Sequence, residues 1–240
     1  MAHLDESSPI LRALKHRYAI AIDYPSAPNF SFGSVTFENL SAEDAKAMRS
    51  YSFVLASEIN KYPPQFVRKA NLRKIALVKK LSVEGVPVAA SPEYKANILF
   101  LDIYGTGTTE AYKRRVIHHE LYHLVEEELN GSAFYKDPKW SALNEPDFVY
   151  GTGGITSRSS EDTILNNPRR GFIDKYAMSG IEEDKAECFS VLFIAEPSRK
   201  CAEMAEKDDI VAAKIGAMKS AVRGWCPAMD ENYWRDVVGR

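Results

Sequence analysis

Two histidines four residues apart, with a glutamate directly after the first, form the pentapeptide His-Glu-Leu-Tyr-His at residues 119–123. On an α-helix, side chains at positions i and i+4 share one face, with about 5–6 Å between their Cβ atoms. His119 and His123 could therefore bind one Zn²⁺ ion, at roughly 2.0–2.1 Å per bond. The carboxylate of Glu120 would lie beside this pair and could act as a general base toward a water on the metal. This spacing predicts the chemistry of a zinc-dependent hydrolase.

The surrounding residues predict a helix that is long enough to carry the pentapeptide. Three fixed residues in five would occur by chance in roughly one chain in a hundred of this size, so the context matters. Residues 109–129 contain no glycine or proline, and the turn at 105–109 before them supplies N-cap candidates. A polar helix with two surface histidines is the alternative, and an apolar face disfavours it. That face consists of Ala111, Val116, Ile117, Leu121, Leu124 and Val125.

The length and composition are those of an ordinary globular protein. The chain has 240 residues, of which 45% are hydrophobic and 27% are charged. We expect one domain, residues 1–240, with an N-terminal α/β lobe of about residues 1–130 and a mostly helical C-terminal lobe of about residues 131–240. The formal net charge of −2 argues against a nucleic-acid or membrane partner.

The hydrophobic pattern predicts the cellular location of the protein, and the number of cysteines predicts their redox state. No run of 18 apolar residues predicts a transmembrane helix, and the N-terminal residues carry acidic side chains where a conventional signal peptide would be apolar. We therefore expect a cytoplasmic protein, or one exported without a conventional signal peptide. Cys188, Cys201 and Cys226 are odd in number and follow no zinc-binding pattern, so we expect reduced thiols.

Hydrophobic periodicity predicts an α+β fold, with a small N-terminal sheet against the pentapeptide helix. Strands are predicted at residues 18–24, 73–81, 85–90 and 96–104, and helices at 41–62, 64–70, 109–129, 181–195, 198–222 and 231–238. Residues 130–170 combine glycine and proline with aromatic side chains, which predicts an ordered, irregular segment. That segment could be a surface excursion or one wall of a substrate groove.

A catalytic zinc ion needs a third protein ligand and one open position. No histidine follows His123, which favours a carboxylate from a later helix. The candidates lie in Glu-Glu-Asp-Lys-Ala-Glu at residues 182–187, and helix propensity alone cannot choose among its three glutamates. His118 would point about 100° away from His119, which favours a packing or hydrogen-bonding role over metal binding.

The run at residues 171–189 resembles the second zinc motif of the gluzincin metallopeptidases. In the branch that includes the anthrax lethal factor catalytic domain and bacterial zinc-binding metallopeptidases, a helix carries Glu-x-x-Ala-Glu, and a tyrosine stands seven residues before its first glutamate. Glu183, Ala186 and Glu187 match the helix pattern, and Tyr176 matches the tyrosine. The resemblance covers roughly residues 96–195.

This resemblance implies a zincin-like fold and a role for each matching residue. Glu183 would be the third zinc ligand, and Glu187 would accept a hydrogen bond from a ligand histidine. Tyr176 would donate its hydroxyl proton to the oxyanion that develops during attack. Three alternatives stay open: a solvated Glu187, a core Tyr176, or Glu182 as ligand in place of Glu183.

The expected activity is zinc-dependent hydrolysis of an internal peptide bond in a protein or peptide substrate, with one catalytic Zn²⁺ and Glu120 as general base. An aminopeptidase or another amide hydrolase is the second hypothesis, although no recognisable amine-binding motif precedes His119. A third hypothesis, from another functional class, is a catalytically inactive, zinc-stabilised binding module. An intact Glu120 and Tyr176 argue against it, because a structural zinc site needs no base. The sequence does not predict subsite preference, physiological role or oligomeric state.

Overall fold

The computed structural model of the protein describes residues 8–23, 35–105, 109–154 and 162–239. The chain divides into two compact units, residues 1–128 and residues 129–240. Helices are combined with a small sheet of parallel and antiparallel strands, which confirms the predicted α+β class. Within the described ranges, the structure has no helix with the length and apolar character that a membrane span requires.

The described part of the first unit contains four α-helices, and the first of them was not predicted. They are α1 (Pro9–Tyr18), α2 (Ala45–Ile59), α3 (Pro64–Lys69) and α4 (Glu110–Asn130), the last of which ends just beyond the unit. The predicted strand at 18–24 is wrong at its start, because Tyr18 ends α1 and the strand covers only Ala21–Asp23. Residue 24 lies outside the described residues. The Tyr18 hydroxyl is 2.8 Å from the Ile59 carbonyl, so its ring is buried against the end of α2.

One long strand, β3, organises the sheet of the first unit. The strands are β1 (Ala21–Asp23), β2 (Val35–Glu38), β3 (Lys74–Val83), β4 (Val86–Pro87), β5 (Ala90–Glu93) and β6 (Ile98–Asp102). The first half of β3 pairs in parallel with β1 and β6, and its second half pairs antiparallel with β2 and β4. Lys80, with φ 53°, lies where the two halves meet. In place of the single strand predicted at 85–90, the structure has β4 and the start of β5, separated by Val88 and Ala89.

The turn between β6 and α4 fixes where the site helix begins. The Asp102 carboxylate accepts hydrogen bonds from the backbone amides of Leu81, Tyr104 and Gly105. The Thr109 hydroxyl accepts from the Tyr112 amide at 3.2 Å and so caps α4, while residues 106–108 of the predicted capping turn lie outside the described residues.

The second unit is built mainly from helices. They are α5 (Pro138–Ser141), α6 (Ile181–Ser190), α7 (Ala195–Ala205), α8 (Asp209–Trp225) and α9 (Glu231–Val237). The helix predicted at 198–222 is in fact two helices. The Asp208 carboxylate accepts hydrogen bonds from the amides of Ile210 and Val211 and begins α8 as a new helix. All three cysteines are buried thiols, and burial raises the pKa of Cys201 to about 12.

Candidate metal centre

The two histidines of the pentapeptide face each other on α4. Their Nε2 atoms are 3.1 Å apart, and both side chains are almost completely buried. Two nitrogen ligands at 2.0–2.1 Å in tetrahedral geometry would be separated by about 3.3 Å. The spacing of His119 and His123 therefore fits a shared metal ion.

Glu120 lies in a stretch of α4 in which the other side chains are buried on every face of the helix. Residues 115–126 are buried except for Glu120, which is half-buried. The predicted apolar face is buried apart from Ala111, and the polar side chains of this stretch other than Glu120 are enclosed as well. The partial exposure of Glu120 would allow water to reach its carboxylate.

His118 points into a separate buried cluster, as predicted. Its Nδ1 atom is 2.6 Å from the Tyr62 hydroxyl, and its Nε2 atom is 2.9 Å from Glu58 Oε2. The same carboxylate also binds Lys61 Nζ, at 2.6 Å, and the Arg114 guanidinium. We call these five residues the Glu58 cluster. It connects α4 to the end of α2 through buried polar side chains and the partly exposed Arg114.

Burial and neighbouring charges shift the pKa values of Glu58 and His118. Burial by itself would raise the pKa of the Glu58 carboxyl, but hydrogen bonds and charges from His118 and Lys61 lower that pKa to about 2. Burial lowers the pKa of His118 to about 4, against the opposing influence of Glu58. At neutral pH the carboxylate is ionised and the imidazole is neutral. The imidazole can then donate to Glu58 through Nε2 and accept from Tyr62 through Nδ1.

In the second unit, Tyr176 and Glu183 converge on one glycine. A Cβ atom at Gly154 would lie 2.3 Å from the Tyr176 hydroxyl and 2.2 Å from Glu183 Oε1. Such distances are far below van der Waals contact, so only glycine fits between these two side chains. Tyr176 occupies a 3-10 turn just before α6, and Glu183 lies in the first turn of α6. The second unit therefore brings a phenol and a carboxylate of the predicted site together.

Backbone hydrogen bonds hold this glycine segment in place. The Gly151 amide donates to the Met178 carbonyl at 3.1 Å, and the Gly153 amide donates to the Ser179 carbonyl at 2.8 Å. Residues 151–154 thus run beside the turn that precedes α6. Residues 155–161, which continue the irregular segment, lie outside the described residues.

The remaining predicted residues, Glu182 and Glu187, are also buried on α6. Their exposed fractions are 6% and 3%. Because Glu187 is buried one turn after Glu183, the alternative of a solvated Glu187 does not hold. A carboxyl oxygen of Glu182 would lie 3.4 Å from a Cβ atom at Gly153. Consecutive glycines therefore face consecutive glutamates.

A second buried carboxylate follows Glu183 in the chain. Asp184 Oδ2 accepts hydrogen bonds from Trp140 Nε1 at 2.8 Å, the Tyr150 hydroxyl at 2.6 Å and Lys214 Nζ at 2.7 Å. Asp184 and Lys214 are both completely buried, and Lys214 also donates to the Gly171 carbonyl. We call Asp184, Lys214, Trp140 and Tyr150 the Asp184 cluster. Burial raises the pKa of Asp184, against the opposing influence of Lys214.

Sequence reasoning did not single out Glu58, Gly154, Asp184 or Lys214. The glycine pair at 153–154 was visible as part of a glycine-rich segment, but its opposing side chains were not. Asp184 and Lys214 are separated by 30 positions, and Glu58 and His118 by 60. No local pattern connects residues at such separations.

Comparisons with known proteins show a family and a similar fold. The family model described as "putative zinc-binding metallo-peptidase" matches residues 10–225. The fold is similar to a crystal structure of a "putative zinc-binding metallo-peptidase" from Bacteroides caccae, with a TM-score of 0.62 and 16% sequence identity. That similarity covers 99% of this chain and 90% of the other. The comparison with curated proteins gives no match. Because the family model covers most of its length, the chain belongs to the family of putative zinc-binding metallo-peptidases.

Proposed function

We propose that the protein is a zinc-dependent endopeptidase in which His119, His123 and Glu183 bind one catalytic Zn²⁺. The observation that carries the proposal is the 3.1 Å separation of the two Nε2 atoms on α4, in a family whose description names zinc binding. Two imidazoles and one carboxylate are a donor set that could hold a metal ion. They match the ligand set of known catalytic zinc sites with an open fourth position.

Zinc, when bound by two neutral imidazoles and one carboxylate, would act as a Lewis acid that polarises the scissile carbonyl and lowers the pKa of a water. Glu120 would take the proton from the attacking water and pass it to the leaving amine. Its position next to His119, and its partial exposure, support this role.

Tyr176 would donate a hydrogen bond to the oxyanion of the tetrahedral intermediate. The meeting of its hydroxyl with the Glu183 carboxylate at Gly154 supports this role. A donor of this kind typically contributes about 2.7–4 kcal/mol to the transition state. Glu187, buried one turn after Glu183, would orient a ligand histidine by accepting its second ring proton.

The gluzincin ligand pattern, and the branch that includes the lethal factor catalytic domain, belong to the same proposal. The motif spacing of Tyr176, Glu183 and Glu187 supports them. The chain as a whole, residues 1–240, would then act as one metallopeptidase domain on protein or peptide substrates. An aminopeptidase is the second enzymatic hypothesis, and an inactive zinc-stabilised module is the hypothesis from outside enzymology.

Metal content and turnover, measured on the same preparations, test the proposal. We expect about one zinc ion per wild-type chain and cleavage of a peptide library. Glu120→Gln should retain zinc and lower turnover by about 10²- to 10⁴-fold, because it removes the general base. Wild-type turnover in Glu120→Gln would show that Glu120 is not the base.

A matched pair of variants tests the third ligand. Glu183→Ala should lose zinc affinity, whereas Glu182→Ala, the same change at the neighbouring position on α6, should keep zinc. The reverse result would assign the ligand to Glu182. Wild-type protein without zinc would contradict both enzymatic hypotheses, and zinc without cleavage of any peptide would favour the binding module.

A further inference from the structure

We infer that Glu182 binds a positively charged group of the substrate, an ammonium or guanidinium, next to the Glu183 and Tyr176 side chains. The inference rests on the proposed function and extends it to a substrate class. Its physical basis is a buried carboxylate that the described part of the chain does not neutralise.

One oxygen of the Glu182 carboxylate is enclosed without a donor from the described residues. The side chain is 6% exposed, and its Oε2 atom has no hydrogen-bond partner among the described residues. The contrast with Asp184, two positions along the same helix, is direct, since Asp184 Oδ2 accepts from three donors. Buried charges in proteins are normally paired in this second way.

Two glycines lie against the carboxyl group of Glu182. A Cβ atom at Gly180 would lie 2.4 Å from Glu182 Oε1, and one at Gly153 would lie 3.4 Å from the same oxygen. Side chains at these two positions would crowd the carboxyl group. The two glycines therefore let the backbone pack closely against the carboxyl group of Glu182.

The position of Glu182 at the start of α6 does not account for its burial. The partial positive charge at a helix N-terminus stabilises an acidic side chain only modestly. The cost of burying an unpaired ion is larger than this gain. A site that is poorly stabilised in the free protein is typical of a residue whose partner arrives with a ligand.

The neighbourhood of Glu182 identifies that ligand. Gly153 and Gly154 are consecutive and face Glu182 and Glu183, so the unpaired carboxylate lies beside the proposed metal ligand and Tyr176. A substrate bound there would place a residue near its scissile bond against Glu182. The group that neutralises a carboxylate is a cation, either the free α-ammonium of the peptide or a lysine or arginine side chain.

Equilibrium peptide binding tests the inference without requiring turnover. The protein is the zinc-loaded Glu120→Gln variant, and it is compared with the double variant Glu120→Gln/Glu182→Gln. Each is equilibrated with two random peptide pools, one with free N-termini and one acetylated, and the bound peptides are sequenced. We expect the single variant, but not the double variant, to enrich lysine or arginine about tenfold or more at one position, since a hydrogen bond to a charged group contributes about 1.5–3 kcal/mol.

The two pools separate the two sources of positive charge. A Glu182-dependent preference for free N-termini would identify an α-ammonium and an aminopeptidase. A preference that persists in the acetylated pool would identify a side chain and an endopeptidase. Equal selection by both variants, or selection of no cation, would overturn the inference. Glu206→Gln, which removes an exposed negative charge from the same unit, should leave the selection unchanged.

Thermal unfolding provides an independent measurement. Glu182→Gln should melt at the same temperature or higher, because it removes an unpaired buried charge while keeping the side-chain shape. A marked loss of stability would show that the carboxylate has a structural partner in this chain, and would also overturn the inference. Failure of the proposed function would be seen separately, in the zinc content and turnover of the wild-type protein.

Discussion

Glu58 in the first unit and Asp184 in the second are both completely buried. Each is the central carboxylate of a cluster that includes a residue next to a proposed zinc ligand. Glu58 binds His118, which precedes His119, whereas Asp184 itself follows Glu183. The Glu58 cluster contains two cations, Lys61 and Arg114, but the Asp184 cluster contains only Lys214. The pKa of Glu58 is lowered and that of Asp184 is raised.

The difference indicates how the stability of each cluster would respond to the loss of one side chain. An excess of cations makes the Glu58 carboxylate insensitive to the loss of one partner. In the Asp184 cluster, one ammonium and two neutral donors offset the cost of burying the carboxylate completely. The loss of any one of these partners should therefore destabilise the protein. The Asp184 cluster also attaches Trp140 and Tyr150, from the segment that leads to Gly154, to the helix that carries Glu183.

The loss of one lysine from each cluster should give the largest contrast. Lys214→Met leaves Asp184 buried without a cation and should lower the free energy of unfolding by about 3–5 kcal/mol. Lys61→Met leaves Arg114 on Glu58 and should cost about 1 kcal/mol. Urea unfolding, monitored by circular dichroism, measures both. Equal losses would contradict the proposed difference in neutralisation.

A second contrast is the pH dependence of stability. The pKa of folded Glu58, about 2, is below its ordinary value of 4.5, so its contribution is present above pH 4.5 and is lost as the pH falls toward 2. The stability difference between wild type and Glu58→Gln should therefore shrink over that range, by on the order of 2 kcal/mol. Asp184 has a raised pKa, so wild type should instead lose stability relative to Asp184→Asn as the pH rises above 3.8. Parallel pH profiles for the two variants would contradict the assignment.

The smallest contrast concerns one hydroxyl in each cluster. Tyr150→Phe removes a hydrogen bond to a carboxylate and should cost about 2 kcal/mol, whereas Tyr62→Phe removes one to a neutral imidazole and should cost about 1 kcal/mol. Both changes preserve the ring and its packing. Thermal unfolding at a fixed pH compares them, and a larger effect for Tyr62→Phe would reverse the predicted order.

Local sequence signals predicted much of the fold. The absence of glycine and proline from residues 109–129 predicted α4 nearly to the residue, and Pro63 and Pro64 marked the start of α3. Tyr18 misled the assignment because the alternation of residues 18–24 resembles a strand, while tertiary contacts of its hydroxyl keep it at the end of a helix. Asp208 was overlooked as a helix cap, so α7 and α8 were predicted as one helix.

The candidate site was predictable only where one turn of helix carries the chemistry. The spacing of His119 and His123 fixed their mutual geometry, because i and i+4 always share a face. The selection of Glu183 among neighbouring glutamates depended on a family resemblance, and the ligand assignment stays a prediction, as does the number of domains. The buried partners Glu58 and Lys214 come from distant positions, and their contacts follow from tertiary packing rather than from local pattern.

The long strand β3 has a consequence for how the first unit comes apart. Among the described strands, four pair with β3 directly, and β5 pairs with β6. Release of β3 would therefore break four of the five strand pairings in the described part of the sheet. Amide hydrogens along both of its halves should therefore exchange with deuterium at a common slow rate, set by disassembly of the whole sheet. Strand β6, which precedes α4, would then stay in place until the sheet unfolds.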